Sequence, residues 1–296
     1  MSAREAVRPR PSADHCRRWR EREALDLCCP FGQRGRVPST ESSEWRGWEY
    51  LDEARRVDTF QRLKEAVTAS LAIPADGRAL DVGCGTGDDA AACAKAAESV
   101  FAIGIDRDLP RLTEAGRRWS SESIGFVAAD AHQLPMPAAC VDACRSERTL
   151  QHVLDPAVVV AELVRVLRPG GRLALTEPDW ETCVVAGGAR EVSRAVVASW
   201  LDRNRNPTVG RHLAGLVTEA GLQVEHLEAL AVCYRDLDQA DRVFPLRRAA
   251  AQASADDLIT ETVAMRWSDD LETASTSGTF LLSITLFTVV AMKPLD

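Results

Sequence analysis

An open α/β sheet, seven strands wide and mostly parallel, is the fold this sequence predicts, on three observations. Short apolar runs alternate with helical patterns over residues 79–291, the order that builds a parallel sheet flanked by helices. The run Ala79-Leu80-Asp81-Val82-Gly83-Cys84-Gly85-Thr86-Gly87-Asp88 ends a strand in an acid, breaks in glycines and opens an alanine-rich helix. Acids also stand at the ends of the next three strands, Asp106, Asp130 and Glu147, where open α/β sheets bind their ligands.

The elements follow in order. Residues 40–73 read as a helical lead-in, with Val57, Phe60, Leu63, Val67 and Leu71 at helical spacing behind the aromatics Trp45, Trp48 and Tyr50. Pro74-Ala75-Asp76-Gly77 turns the chain into the first strand, residues 79–82. Strands two, three and four are read at 99–105, 124–128 and 139–144, with Glu147 just after the fourth. A helix over 156–167 is stopped by Arg168-Pro169-Gly170-Gly171, since proline cannot continue a helix and glycine supplies a left-handed turn. Strand five is read at 172–176, helices at 191–201 and 210–220, and strand six at 223–232. Helices over 236–275 form a cap before strand seven, 280–291.

Composition bounds the function. Of the residues 46% are hydrophobic, enough for a real core, and no run of about 18 apolar residues predicts a membrane span. The net charge of -8 argues against a nucleic-acid partner. Residues 1–39 are different: arginine-rich and basic, they read either as a poorly ordered extension or as an arm or lid that joins copies of the chain into a homo-oligomer. No apolar segment follows those charges as a secretory signal requires. The nine cysteines include no C-x-x-C pair and read as thiols of a reducing cytoplasm, with no metal site expected. Residues 40–296 are expected to form the catalytic domain.

The glycine run carries the chemistry. Glycines let the backbone turn sharply and approach a ligand without a Cβ in the way. Dinucleotide sites use G-x-G-x-x-G and seat a pyrophosphate on the helix N-terminus. Here the spacing is G-x-G-x-G behind Asp81, and residue 88 is an aspartate. An acid there repels pyrophosphate and suits a cationic ligand. This weighs against the nicotinamide dehydrogenase that a glycine turn otherwise suggests. Asp106 is placed to accept from ribose hydroxyls, and Asp130 with Ala131 to read an adenine amino group.

This run, with Asp130-Ala131-His132-Gln133-Leu134-Pro135 and Glu162-Leu163-Val164-Arg165-Val166-Leu167-Arg168-Pro169-Gly170-Gly171, resembles the class I S-adenosylmethionine (SAM) dependent methyltransferases. The branch it looks like holds the ubiquinone/menaquinone C-methyltransferases and many natural-product methyltransferases. The resemblance covers residues 57–180 and implies a Rossmann-like sheet with one antiparallel edge strand. It also implies SAM as cofactor, leaving as S-adenosylhomocysteine, held by Asp81, Gly83, Gly85, Thr86, Gly87, Asp106, Asp130, Ala131 and Glu147. His152, after strand four, is the candidate general base, because an oxygen nucleophile benefits from a base near neutral pKa. Tyr50, Glu177 and Trp180 are candidates for the acceptor pocket. The implied reaction is O- or C-methylation of a small molecule, expected to be a bacterial secondary metabolite or its precursor. The alternatives are a quinone C-methyltransferase and a SAM-binding partner subunit without activity of its own.

Overall fold

The computed structural model describes Asp52 and residues 58–295. The expectations for residues 1–39 and for Trp45, Trp48 and Tyr50 lie outside the described residues. The strands are β1 Arg78–Val82, β2 Phe101–Asp106, β3 Ile124–Ala128, β4 Val141–Glu147, β5 Leu167–Ala186, β6 Gln223–Tyr234 and β7 Leu281–Met292. They form one sheet in the order β3-β2-β1-β4-β5-β7-β6. Neighbours from β3 through to β5 are parallel, and β7 runs antiparallel to both β5 and β6.

The expected Rossmann-like sheet is therefore present, and its antiparallel strand sits one place in from the edge. The reason is burial. Val289, Val290 and Ala291 of β7 are all buried, as an interior strand requires, whereas Gln223–Ala229 of β6 are exposed and tolerate an edge.

The helices are α1 Asp58–Ser70, α2 Asp88–Ala94, α3 Leu109–Arg118, α4 Pro156–Val166, α5 Arg190–Leu201, α6 Val209–Glu219, α7 Leu237–Val243, α8 Leu246–Ala255 and α9 Glu261–Thr276. In α1, Phe60, Leu63 and Val67 face the core at the spacing read from sequence. Asp155 caps α4 through the N–H groups of Ala157 and Val158 before Pro156, a residue suited to a first turn. Residues 236–275 hold α7, α8 and α9; α8 packs on α5 and α9, and Trp267 of α9 is buried, donating its indole N–H to Ser193 at 3.0 Å. Among the described residues, no helix is long and apolar enough to cross a membrane.

Most strand bounds shift by one or two residues, and two strands run further past theirs. β4 runs on through Arg145, Ser146 and Glu147, so Glu147 is its last residue and does not follow it. Polar residues at that place read as a strand end, but here the charges are paired inside the fold. β5 begins at Leu167 and continues past Glu177 to Ala186, because β7 pairs with it on both sides of an irregularity between Asp179 and Val184.

Candidate active site

The order of the strands puts β1 and β4 side by side while their chains continue in opposite directions across the sheet. That is the switch point of the sheet, where a crevice opens at the carboxyl ends. Val82 and Asp81 end β1 on one side and Glu147 ends β4 on the other.

The glycine turn is fixed by both neighbours. Gly83 N–H and Cys84 N–H donate to the carbonyl of Ile105 at 2.7 and 3.0 Å. Gly85 N–H donates to Asp106 Oδ2 at 2.8 Å, and Asp108 N–H to Asp106 Oδ1 at 3.0 Å. Asp106 thus ties the turn to β2. A carboxylate has about four lone-pair sites, so each oxygen keeps one for a further donor. Gly83 has φ +76°, and a Cβ on it would stand 1.9 Å from Thr149 Oγ1. Gly87, φ +80°, begins α2, and a Cβ there would meet the Phe126 ring at 2.6 Å. Only glycine lets these segments meet. Thr86, fully buried, donates to Asp88 Oδ2 at 2.8 Å.

Beside this turn lies a charge network that crosses four elements, α1, β1, α2 and β4. Arg145 of β4 is 1% exposed; its Nη2 is 3.1 Å from Asp89 Oδ2 and 3.0 Å from Glu147 Oε2, and its Nη1 donates to Thr68. Its Nε stands 3.8 Å from Asp81 Oδ1. Lys64 of α1 closes the set, donating to Asp89 Oδ2 at 2.6 Å and Glu147 Oε2 at 2.7 Å. Three acids face two cations, so the cluster carries a net negative charge when all are ionised. Two of its acceptor atoms are buried without a hydrogen bond, Asp81 Oδ2 and Glu147 Oε1. Burial pushes the Asp81 carboxyl up to about 7, against the pull of Arg145. Sequence reasoning missed Lys64, Arg145 and Asp89. A basic residue two before a strand-end acid, and another at the inward spacing of the lead-in helix, were the available signals.

A second assembly holds the turn after β4. Leu150–His152 is one turn of 3-10 helix. Glu177, fully buried on β5, accepts through Oε1 from the N–H groups of Thr149 and Leu150, both at 2.6 Å, and through Oε2 from that of Gln151 at 3.4 Å. It therefore serves the N-terminal donors of the turn, which have no partner within it. Burial raises its pKa to about 8, with those three N–H groups acting the other way. Trp180 is also buried; its indole donates to Gln151 Oε1 at 2.7 Å, and its ring meets Trp200 and Phe244 at centroid distances of 6.3 and 5.6 Å. Asn206 grips the turn from outside, donating to the carbonyls of Leu150 and Val153 at 2.9 and 2.8 Å. His152 ends the turn with its side chain exposed.

At the end of β3, Asp130 is exposed and accepts from the backbone N–H of His132 and from its ring Nδ1, at 2.9 and 2.6 Å. His132 Nε2 accepts from Asp155 N–H at 3.2 Å, so the neutral Nδ1–H tautomer fits both contacts. Desolvation raises the Asp130 carboxyl and these two bonds more than reverse it, leaving the pKa lowered. Ala131 lies between them, half-buried.

The sheet brings Asp81, the glycine turn, Asp106, Asp130 and Glu147 to its carboxyl edge, with the turn bearing His152 next to them. Glu177 and Trp180 lie beneath that turn, where their polar atoms hold it.

Residues 80–175 match the family model described as "Methyltransferase domain". The chain is 36% identical over 245 residues to an uncharacterised 37.1 kDa protein in transposon TN4556 of Streptomyces fradiae, covering 82% of this chain and 70% of that one. It is 37% identical over 114 residues to a demethylmenaquinone methyltransferase of Roseiflexus castenholzii, 38% of this chain and 48% of that one. It is 36% identical over 118 residues to a 27-O-demethylrifamycin SV methyltransferase of Amycolatopsis mediterranei, 38% of this chain and 43% of that one. The match thus spans about half the length of these two named relatives. Among solved structures, a putative methyltransferase from Bacillus halodurans shares the fold with a TM-score of 0.57 at 19% identity, covering 78% of this chain and 98% of that one.

Proposed function

Because this chain belongs to the class I SAM-dependent methyltransferases, we propose that it transfers a methyl group from SAM to a small-molecule acceptor. The observation that carries this reading is the buried Asp81 at the switch point, with Oδ2 left without a hydrogen bond among the described residues beside a glycine turn whose Gly83 and Gly87 exclude a Cβ. Such a cradle fits a nucleoside ligand with a cationic end. Asp81 and Glu147 would face the ammonium and sulfonium charges, Gly83, Gly85, Thr86 and Gly87 would pass under the ligand, Asp106 would accept from ribose hydroxyls, and Asp130 with Ala131 would meet the adenine edge.

When bound, SAM supplies a methyl group on a sulfonium leaving group. The protein's part is then alignment and exclusion of water. Glu177 and Asn206 hold the 149–153 turn in one geometry, and that turn presents His152. For an oxygen acceptor, His152 takes the proton as general base; a carbon acceptor leaves it a positioning role only. The acceptor is read as a secondary metabolite or its precursor, in line with the rifamycin-pathway relative. The menaquinone relative keeps a quinone precursor beside it.

The test is calorimetric titration with S-adenosylhomocysteine and then with NAD. Binding of the first and not the second supports the reading, and transfer of labelled methyl from SAM to an acceptor panel completes it. A folded sample that binds NAD, or neither compound, overturns it.

A further inference from the structure

Among the described residues, the buried polar atoms that lack a hydrogen bond on the β1 side of Glu147 are of both kinds, since Arg145 Nε is a donor that stands 3.8 Å from Asp81 Oδ1. Toward β1 the free atoms of the acids are acceptors, Asp81 Oδ2 and Glu147 Oε1, which suits a cationic cofactor. Beyond Glu147 they are donors: Arg148 Nε, Tyr234 Oη and Trp200 Nε1. Trp119 Nε1 belongs to neither group, since it sits at the C-terminal end of α3 under Lys95.

Arg148 is the informative residue. It follows β4 directly at the switch point, and its backbone takes a left-handed conformation, φ +51°, that a non-glycine residue seldom adopts. Its side chain is 17% exposed, yet its Nε is buried without a hydrogen bond among the described residues. The contacts it does make are the Phe60 ring, 5.6 Å away, and Glu147 Oε1 at 3.6 Å, too long for a hydrogen bond. Arg145, three residues earlier, has its terminal nitrogens on Thr68, Asp89 and Glu147. A guanidinium carries five N–H donors in a planar fork matched to two oxygens of an anion. The Nε of Arg148 is withdrawn from water without a hydrogen-bond partner, which is costly unless a ligand supplies one. Tyr234, at the carboxyl end of β6, is 1% exposed with its hydroxyl unpartnered. Burial raises its pKa to about 12, with the charge of Arg148 acting the other way, so at neutral pH it is a phenol O–H within the field of that arginine.

We propose that Arg148 and Tyr234 form the anion-binding end of the acceptor pocket, and that the acceptor carries an anionic oxygen, a carboxylate or an enolate or phenolate. This rests on the methyltransferase reading above. It places the acceptor's negative end against the donors while the acids on the β1 side receive the cofactor's positive charge. Neutral terpenoid or alkene acceptors without an acidic oxygen are disfavoured.

The experiment uses the full chain saturated with S-adenosylhomocysteine. Benzoate and 4-nitrophenolate serve as anionic probes, benzamide and nitrobenzene as their neutral counterparts, with affinity read by calorimetry and tryptophan fluorescence. At least one anionic probe binds about ten-fold or more tightly than its neutral partner, and which of the two does so separates a carboxylate from a phenolate acceptor. Arg148→Met removes that preference, Arg148→Lys restores part of it, and Tyr234→Phe weakens it, while affinity for S-adenosylhomocysteine stays within the same order of magnitude. Equal binding of charged and neutral probes, no binding by any of the four, or a preference that survives in Arg148→Met overturns the proposal. Failure of S-adenosylhomocysteine itself to bind overturns the methyltransferase reading instead, so the two failures are told apart in one sample.

Discussion

Arg145 on β4 stands with its Nε 3.8 Å from Asp81 Oδ1 on β1, both buried where the two strands run side by side. The arginine is the shared cation of Asp81, Asp89 and Glu147, with Lys64 on Asp89 and Glu147 and Arg148 Nε 3.6 Å from Glu147 Oε1. An apolar residue at position 145 would take from the buried Asp81 its nearest cation and from Asp89 and Glu147 the guanidinium they share. Arg145→Met is therefore expected to destabilise the fold by about 3–5 kcal/mol, the cost of breaking a buried ion network from one side. Urea denaturation at neutral pH measures it, and a loss below about 1 kcal/mol would show that the network is worth no more than a surface pair.

Cofactor affinity should depend on pH through Asp81. Its carboxyl titrates near 7 in the free protein, and a cationic ligand end prefers the ionised form. Affinity for S-adenosylhomocysteine is thus expected to rise with pH up to about 7 and then level off, with a proton released on binding below that point. Calorimetry in buffers of different ionisation enthalpy reads both effects. Asp81→Asn should bind weakly with a flat profile; a wild-type profile flat from pH 5.5 to 8 would remove Asp81 from this role.

Glu177 carries a stability prediction of definite sign. Its ordinary value is 4.5 and its value in the fold is about 8. Below the first both states are protonated and the buried carboxyl costs nothing in charge. Between the two the unfolded chain ionises while the folded one resists, so stability declines as pH rises through that window, by a few kcal/mol on the order of the linkage relation. Glu177→Gln keeps one carbonyl-type oxygen for Thr149 and Leu150 but has no proton to lose. Its thermal stability should therefore fall less between pH 5 and 8 than that of the wild type. Parallel pH profiles for both proteins would contradict the assignment.

Gly83→Ala combines a left-handed φ with a Cβ at 1.9 Å from Thr149 Oγ1. Strain alone costs about 1–2 kcal/mol, and the clash adds to it or moves the turn. The variant is expected to melt lower and to lose most of its affinity for S-adenosylhomocysteine. Thr149→Ser, which removes one of the clashing atoms, should recover part of the melting temperature in the double variant.

His152→Ala separates the two chemistries open to the site. With an oxygen acceptor, turnover should fall about 10²–10⁴-fold while affinity for S-adenosylhomocysteine holds. Unchanged turnover on such an acceptor ends the general-base role and points to carbon.

The order of elements was legible because alternation of apolar runs with helical patterns is a local property. The glycine turn was legible for a similar reason: Gly83 and Gly87 answer to the backbone's own φ. The ends of strands were less so. Arg145 and Glu147 look like a polar exit from a strand until Lys64 and Asp89, distant in sequence, are seen beside them. Glu177 had the residue type of a pocket acid or a solvated strand end, and its position under Thr149 and Leu150 gives it a different partner set.

The sequence by itself determined the α/β class, the parallel core of the sheet and the place of the acids Asp81, Asp106 and Asp130 at its carboxyl side, since each follows from spacing within a few residues. Tertiary structure alone decided how the charges are shared and which donors stay free: Lys64, Arg145 and Glu147 in one network, Arg148 Nε and Tyr234 Oη buried without a hydrogen bond. The physical reason is that hydrogen bonds and burial are properties of pairs brought together by the fold, and residues as far apart as Lys64 and Glu147 carry no local pattern that announces their meeting.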